Sequence, residues 1–344
     1  MHPSVTAPAP SPAAAAQPRA RPAVGLLYNP ASPDVIAHAG SLVESLSVMP
    51  DRLWFDFGPA AAPGQRFHRA LGALDEIARL ARGRQLAAHG IGLSLPSDLP
   101  LDKDFVTAID GLQQALGGFG WFSEHLSVFL TPRGSVPNAQ AGLGLPIAYD
   151  DEVFTLVAGK LRRLRERLGC RQLLENGAFF TPLPEAPMSE PAFLNRLHAQ
   201  GLAGTLLDLH NLYVSERHGG PRMADYLAEL DPDAVEEIHL AGGDDFAGFY
   251  MDSHSGFTPE PVWEIAFEHL PRFRRLRALT FEFQETYYPA MGAAGVAREL
   301  ERMHRLAECC GTAAPMAIAA RSAQAAPTPT ARSPRPEPEA HHAG

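Results

Sequence analysis

Short apolar runs recur about every 30 to 40 residues and alternate with helix patterns, a rhythm that restricts the fold more than any other feature of the chain. The runs are AVGLLY (23–28), RLWFDF (52–57), QLAAHG (85–90), WFSEHLS (121–127), RQLLEN (171–176), GTLLDLHN (204–211), EEIHLAG (236–242) and ALTFEF (278–283). Strands that are apolar throughout, each followed by a helix, belong to a parallel sheet covered on both faces. The clearest helix is expected at 151–168, where Val153, Leu156, Val157, Leu161, Leu164 and Leu168 share one face and Gly169 supplies the stop. Eight such units suit a closed (β/α)8 TIM barrel of the α/β class. An open doubly wound sheet fits less well, because its first strand usually leads into a Gly-rich phosphate loop, and AVGLLYNPAS has none. The expected organisation is one metal-binding barrel domain over 22–311. It is flanked by Pro- and Ala-rich tails, 1–21 and 312–344, with too few large apolar groups to offset the entropy of ordering, so both read as disordered.

Composition narrows the partners. A formal net charge of −10 argues against a nucleic-acid surface, which relies on clustered Lys and Arg. No run approaches the roughly 18 to 20 apolar residues of a membrane span, and the amino terminus lacks the basic and Leu-rich regions of a secretory signal. The expected compartment is the cytoplasm, with no membrane partner. Three cysteines, Cys170, Cys309 and Cys310, spell neither a disulfide framework nor a thiolate zinc site, so a metal here is expected on nitrogen and oxygen donors.

The chemistry lies in how the runs end: His89 in HGIGLSL, Glu124 and His125 in SEHLS, Glu175 and Asn176 in LLENG, Asp208, His210 and Asn211 in LLDLHN, His239 in IHLAGG and Glu282 in FEF. Asp252 and His254, in MDSHSG, follow the seventh run. A barrel gathers the carboxyl ends of its strands on one face, so these residues are expected in one pocket. One His or Glu after an apolar run is ordinarily a structural residue or a helix cap. Six such endings are a different matter, because several carboxylates in one cavity repel one another unless cations neutralise them. Imidazole with carboxylate suits Fe, Mn or Zn, and the set is too large for one ion, so Glu175 is expected to bridge two or three. Glu124 is expected to support His125 rather than to ligate. Period-two alternation would point Asp208 and His210 the same way, with room for only one at the metals. Two other readings stay open: a divalent-metal sugar isomerase or endonuclease-like barrel, and a degenerate barrel that binds a peptide without turnover.

Taken in order, HGIGLSL, SEHLS, LLENG, LLDLHNLYVS, EIHLAGG, DSHSG and FEFQ resemble the multinuclear non-heme iron-dependent oxidative enzymes, the family that includes the methanobactin oxazolone and thioamide synthase. The resemblance runs from about Ala23 to Met303. It implies two or three mixed-valent irons, O2 as co-substrate, and oxidation of cysteine or other residues in a ribosomally made precursor peptide presented by a small partner protein. It implies His89, His125, Glu175, Asp208, His239 and Glu282 as ligands, Asp252 and His254 as belonging to a third iron, and Asn211 as a further candidate. The chain departs from the family at Gly243, where HLAGG replaces HLAGH. Asp244, Asp245 or His210 would have to compensate, or the site would hold two irons. YNPAS and DFGP also depart, in the first two loops, which points to a different substrate.

Overall fold

The computed structural model describes residues 21–62, 64–131, 139–181 and 185–312. Eight strands run parallel: β1 (Ala23–Leu27), β2 (Ser45–Val48), β3 (Gln85–Gly90), β4 (Trp121–His125), β5 (Arg171–Glu175), β6 (Gly204–Asp208), β7 (Val235–Ala241) and β8 (Ala278–Glu282). Each pairs with its neighbours in chain order, and β8 pairs with β1 to close the barrel. The helices are α1 (Ser32–Ala39), α2 (Leu71–Leu80), α3 (Lys103–Ala115), α4 (Asp151–Leu168), α5 (Glu190–Ala199), α6 (Leu209–Arg217), α7 (Met223–Glu229), α8 (Glu260–His269) and α9 (Tyr288–Thr312). None in the described chain is long and apolar enough to cross a membrane. Apart from Arg21 and Thr312 at their edges, the two expected disordered tails lie outside the described residues.

Local chemistry explains the elements. The helix expected at 151–168 forms with those bounds as α4. Asp150 caps it by accepting from the Val153 N–H at 2.8 Å, and Gly169 ends it at φ +67°, a left-handed conformation that glycine adopts without a Cβ penalty. Its buried face carries Val157, Leu161, Leu164 and Leu168.

The second strand was expected at 52–57 and lies instead at Ser45–Val48. SLSV alternates serine with apolar residues because Ser45 and Ser47 are small groups buried in the sheet, so it lacks an apolar run. RLWFDF is apolar for another reason. Trp54–Asp56 pairs antiparallel with Phe67–Arg69, and Trp54 packs edge-on against Phe67 and Phe105 at 5.4 Å each, while Phe55 and Phe57 stay exposed.

Between β1 and β2 the backbones leave no room for a side chain at Gly25, where a Cβ would fall 2.0 Å from the Ser45 carbonyl oxygen. Gly25→Ala is therefore expected to cost about 1–3 kcal/mol by overpacking, read as a lower urea midpoint. An unchanged midpoint would show that the two strands are not held this closely.

Candidate metal centre

Alternation along the strands stacks the inward side chains in layers. At the bottom, Ala87, Trp121, Leu173, Leu206 and Ala278 form a buried apolar cluster. Two residues further along β4 and β8 stand Ser123 and Thr280, with Glu237 of β7 hydrogen-bonded to Trp121 and Thr280, and the top layer, at the carboxyl ends of the strands, holds His89, His125, Glu175, Asp208, His239 and Glu282. The pairing register sets His125 beside Glu175 and Asp208 beside His239.

The six top-layer side chains meet. Glu175 Oε2 lies 2.8 Å from His125 Nδ1 and 3.4 Å from His89 Nε2, and Glu175 Oε1 is 3.6 Å from His239 Nδ1. His239 Nδ1 also lies 2.8 Å from Glu282 Oε1, and the Nε2 atoms of His89 and His125 are 3.1 Å apart. Three triplets offer donor atoms within 4.8 Å of one another: His89, His125 and Glu175; His89, His239 and Glu282; Glu175, Asp208 and His239. Burial makes the arrangement costly without a cation. Glu175 Oε2, His239 Nδ1 and Glu282 Oε1 are buried with only one another and the neighbouring imidazoles for partners, and the buried Asp208 Oδ2 and Asn211 Oδ1 make no hydrogen bond. A nitrogen and oxygen donor set left partly unsatisfied in one place is what a metal of the Fe, Mn or Zn type requires, so these residues fit such an ion.

Electrostatics agree. Burial pushes His89 down to about 4, so it is a neutral donor. Burial also raises Asp208 well above the carboxylate range, helped by the charges of Glu175 and Glu282. Burial acts to raise Glu175 and Glu282 too, but neighbouring histidines outweigh it. His125 and His89 hold Glu175 well below its ordinary value, and His239 holds Glu282 at about 2. His239 is drawn well upward against burial, chiefly by Glu282. Protons thus balance the carboxylates, and metal binding would displace them.

Neighbouring groups aim the donors. Asp208 caps α6 by accepting the Asn211 N–H at Oδ1 (2.6 Å), which leaves Oδ2 for a cation. Asn176 accepts the Asp208 N–H at 2.8 Å and receives the Asn211 amide on its carbonyl at 3.0 Å, tying the ends of β5 and β6 together. Ser123 Oγ sits 3.0 Å from His89 Nδ1, so the other nitrogen faces the cluster.

Sequence reasoning missed Glu237. It is fully buried, 3.3 Å from His239 Nε2, and accepts from the Trp121 indole N–H at 2.5 Å and the Thr280 hydroxyl at 2.8 Å. It fixes His239 so that Nδ1 points at the other donors. Its position two residues before His239 already placed it on the same inward face, which was the signal available.

Other expected residues are placed differently. Glu124 is buried one residue from His125, on the opposite face of β4, against Gly90. No hydrogen bond joins its carboxylate to the His125 ring, so the structure does not show the expected support of that imidazole. His210 does not alternate with Asp208 along a strand, because β6 ends at Asp208 and His210 lies in the first turn of α6. Its Nδ1 is 2.9 Å from Asp252 Oδ1, and His254 Nε2 is 3.2 Å from the same oxygen. His254 Nδ1 is 3.4 Å from Glu282 Oε2, so Asp252 and His254 adjoin the six donors. Asp244 and Asp245 are exposed on a two-stranded ribbon, Asp244–Phe246 with Phe249–Met251, away from the donors.

The donors open into a cavity of about 460 Å³ lined by Tyr28, Met49, Phe129, Phe180, Asn211 and Met251, among others. Phe129 packs edge-on against His125 at 5.4 Å. The result is a polar floor under a largely apolar wall.

Comparison with known proteins places this architecture. The chain is 31% identical over 218 residues to a UPF0276 protein of Anaeromyxobacter sp. (strain Fw109-5), covering 63% of this chain and 73% of that one. It is 31% identical over 229 residues to a UPF0276 protein of Chromobacterium violaceum, covering 67% and 79%. Among solved structures, D-psicose 3-epimerase with D-tagatose from Clostridium cellulolyticum H10 aligns with a TM-score of 0.53 at 12% identity, over 83% of this chain and 99% of that one, which is a likeness of fold. Residues 49–308 match the family described as RiPP precursor modification enzyme MbnB/TglH/ChrH, and the chain belongs to that family.

Proposed function

We propose that this chain is an iron-dependent oxidase that uses O2 to modify residues, cysteine foremost, of a ribosomally made precursor peptide in the cytoplasm, with a small partner protein presenting the peptide. The observation that carries this reading is the convergence of buried nitrogen and oxygen donors, Asp208 Oδ2 and Asn211 Oδ1 without partners among them, on one cavity in a member of a precursor-modifying family. Iron, when bound, would supply the redox chemistry that O2 and a thiol require.

His89, His125, Glu175, Asp208, His239 and Glu282 would hold the metal, with Asn211 Oδ1 as a further donor facing the cavity. Glu237 holds His239 in one ring orientation, and Ser123 does the same for His89. Phe129 and Phe180 line the cavity, so they would give a peptide side chain reaching the floor apolar surface to rest on beside the donors. That placement selects which bond reacts.

The test is metal analysis and Mössbauer spectroscopy on protein purified without oxygen, followed by O2 uptake with a cysteine-containing peptide encoded beside the gene. Spin-coupled iron, peptide-dependent O2 uptake and a mass change in the peptide are the expected results. Zinc or manganese alone, with no O2 uptake, would overturn the reading and favour a hydrolase or isomerase.

A further inference from the structure

Next to the six donors lies a second hydrogen-bonded group. His210 is fully buried, with Nδ1 2.9 Å from Asp252 Oδ1 and Nε2 2.9 Å from the Tyr250 hydroxyl. A neutral imidazole has one N–H and one lone pair. If Nδ1–H donates to the carboxylate, Nε2 accepts from the phenol, and neither nitrogen remains for a cation. Asp252 Oδ1 is in turn shared with His254 Nε2 at 3.2 Å.

Tyr250 is held from several sides. It is 6% exposed, packs edge-on against Tyr213 at 5.3 Å, and lies under the Arg217 guanidinium, 4.6 Å from its ring centroid. Its backbone carbonyl accepts from His218 Nε2 at 2.8 Å. The facing strand end has no side chain: a Cβ at Gly243 would fall 2.4 Å from the Met251 carbonyl oxygen and 2.7 Å from the Tyr250 hydroxyl. The phenol and its ribbon fill the space into which a residue at 243 would project.

The three donor triplets share members, since His89, Glu175 and His239 each serve twice, and none of them contains His210, Asp252 or His254. The six residues of these triplets, some of them shared, with Asn211 Oδ1 beside them, suffice for two ions with positions left open for substrate.

We propose that this centre holds two metal ions, and that Tyr250 with His210 sets the limit by filling the ground beside Asp252 and His254 that a third would need. The proposal rests on the metal-dependent reading above but not on which reaction follows. The test is to load metal-free full-length protein anaerobically with Co(II) or Fe(II), desalt it and count metal per chain. Wild type is expected to hold two, and His210→Asn no fewer than two, because His210 ligates nothing. Tyr250→Ala, which opens the ground beside Asp252 and His254 and frees His210 Nε2, is expected to hold three. If that variant does not fold, the first two counts still decide. Three ions in the wild type, a fall below two in His210→Asn, or a folded Tyr250→Ala that stays at two would each overturn the proposal. Two ions in a protein inert toward O2 and peptide would sink the oxidase reading and leave this one standing. Three ions with peptide oxidation would do the reverse.

Discussion

Glu175→Gln is expected to leave the barrel folded, with its circular dichroism unchanged, while metal affinity falls about a hundredfold or more and peptide modification is lost. Glu175 belongs to two of the three donor triplets and lies within 3.6 Å of His89, His125 and His239. Glutamine keeps the volume but turns an acceptor into an amide that faces imidazole nitrogens and cannot ligate through nitrogen. The removal of one carboxylate therefore unsettles two of the three donor triplets at once. Full metal content in the folded variant would show that the centre is built on other residues.

The second large effect is expected beneath the donors. Glu237→Ala removes the acceptor for the Trp121 indole and the Thr280 hydroxyl and leaves two buried donors unpaired, each costing about 1–3 kcal/mol. The vacated volume adds to that loss. Chemical denaturation followed by Trp fluorescence is expected to show about 3 kcal/mol or more of lost stability, and metal affinity is expected to fall about 10- to 100-fold. Glu237→Gln separates the two roles. It refills the space, so stability recovers in part, but its amide cannot both accept from Trp121 and Thr280 and hold His239. If affinity returns with stability in Glu237→Gln, the residue is a packing element and does not position His239.

Much of this was legible because a strand buried on both faces is an unbroken apolar run and a barrel gathers the ends of its strands. The first made QLAAHG and ALTFEF readable as strands, and the second put His89 and Glu282 at one mouth, where the structure finds them. Period two, carried back along the strand from His239, would have found Glu237. It failed at LLDLHN, since nothing in the residue pattern says that Asp208 turns from strand residue to helix cap within one position. It failed at SLSV because Gly25 presses against Ser45 there, a tertiary constraint that selects small side chains over apolar ones. Glu124 misled because adjacency in sequence across a strand means opposite faces. The fit of Tyr250 against Gly243 joins a ribbon to a strand end and has no local sequence mark.

The apolar layer of Trp121, Leu173 and Leu206 stoppers the barrel below the donors, so the cavity is a cup and not a tunnel. A tunnel lets a chain thread through and present one residue after another while it stays bound. A cup admits a side chain, a bend or a terminus, which must leave by the lip it entered. Successive residues of one peptide can reach the floor of such a vessel only by withdrawing and dipping again, so partly processed peptide should appear free in solution between visits.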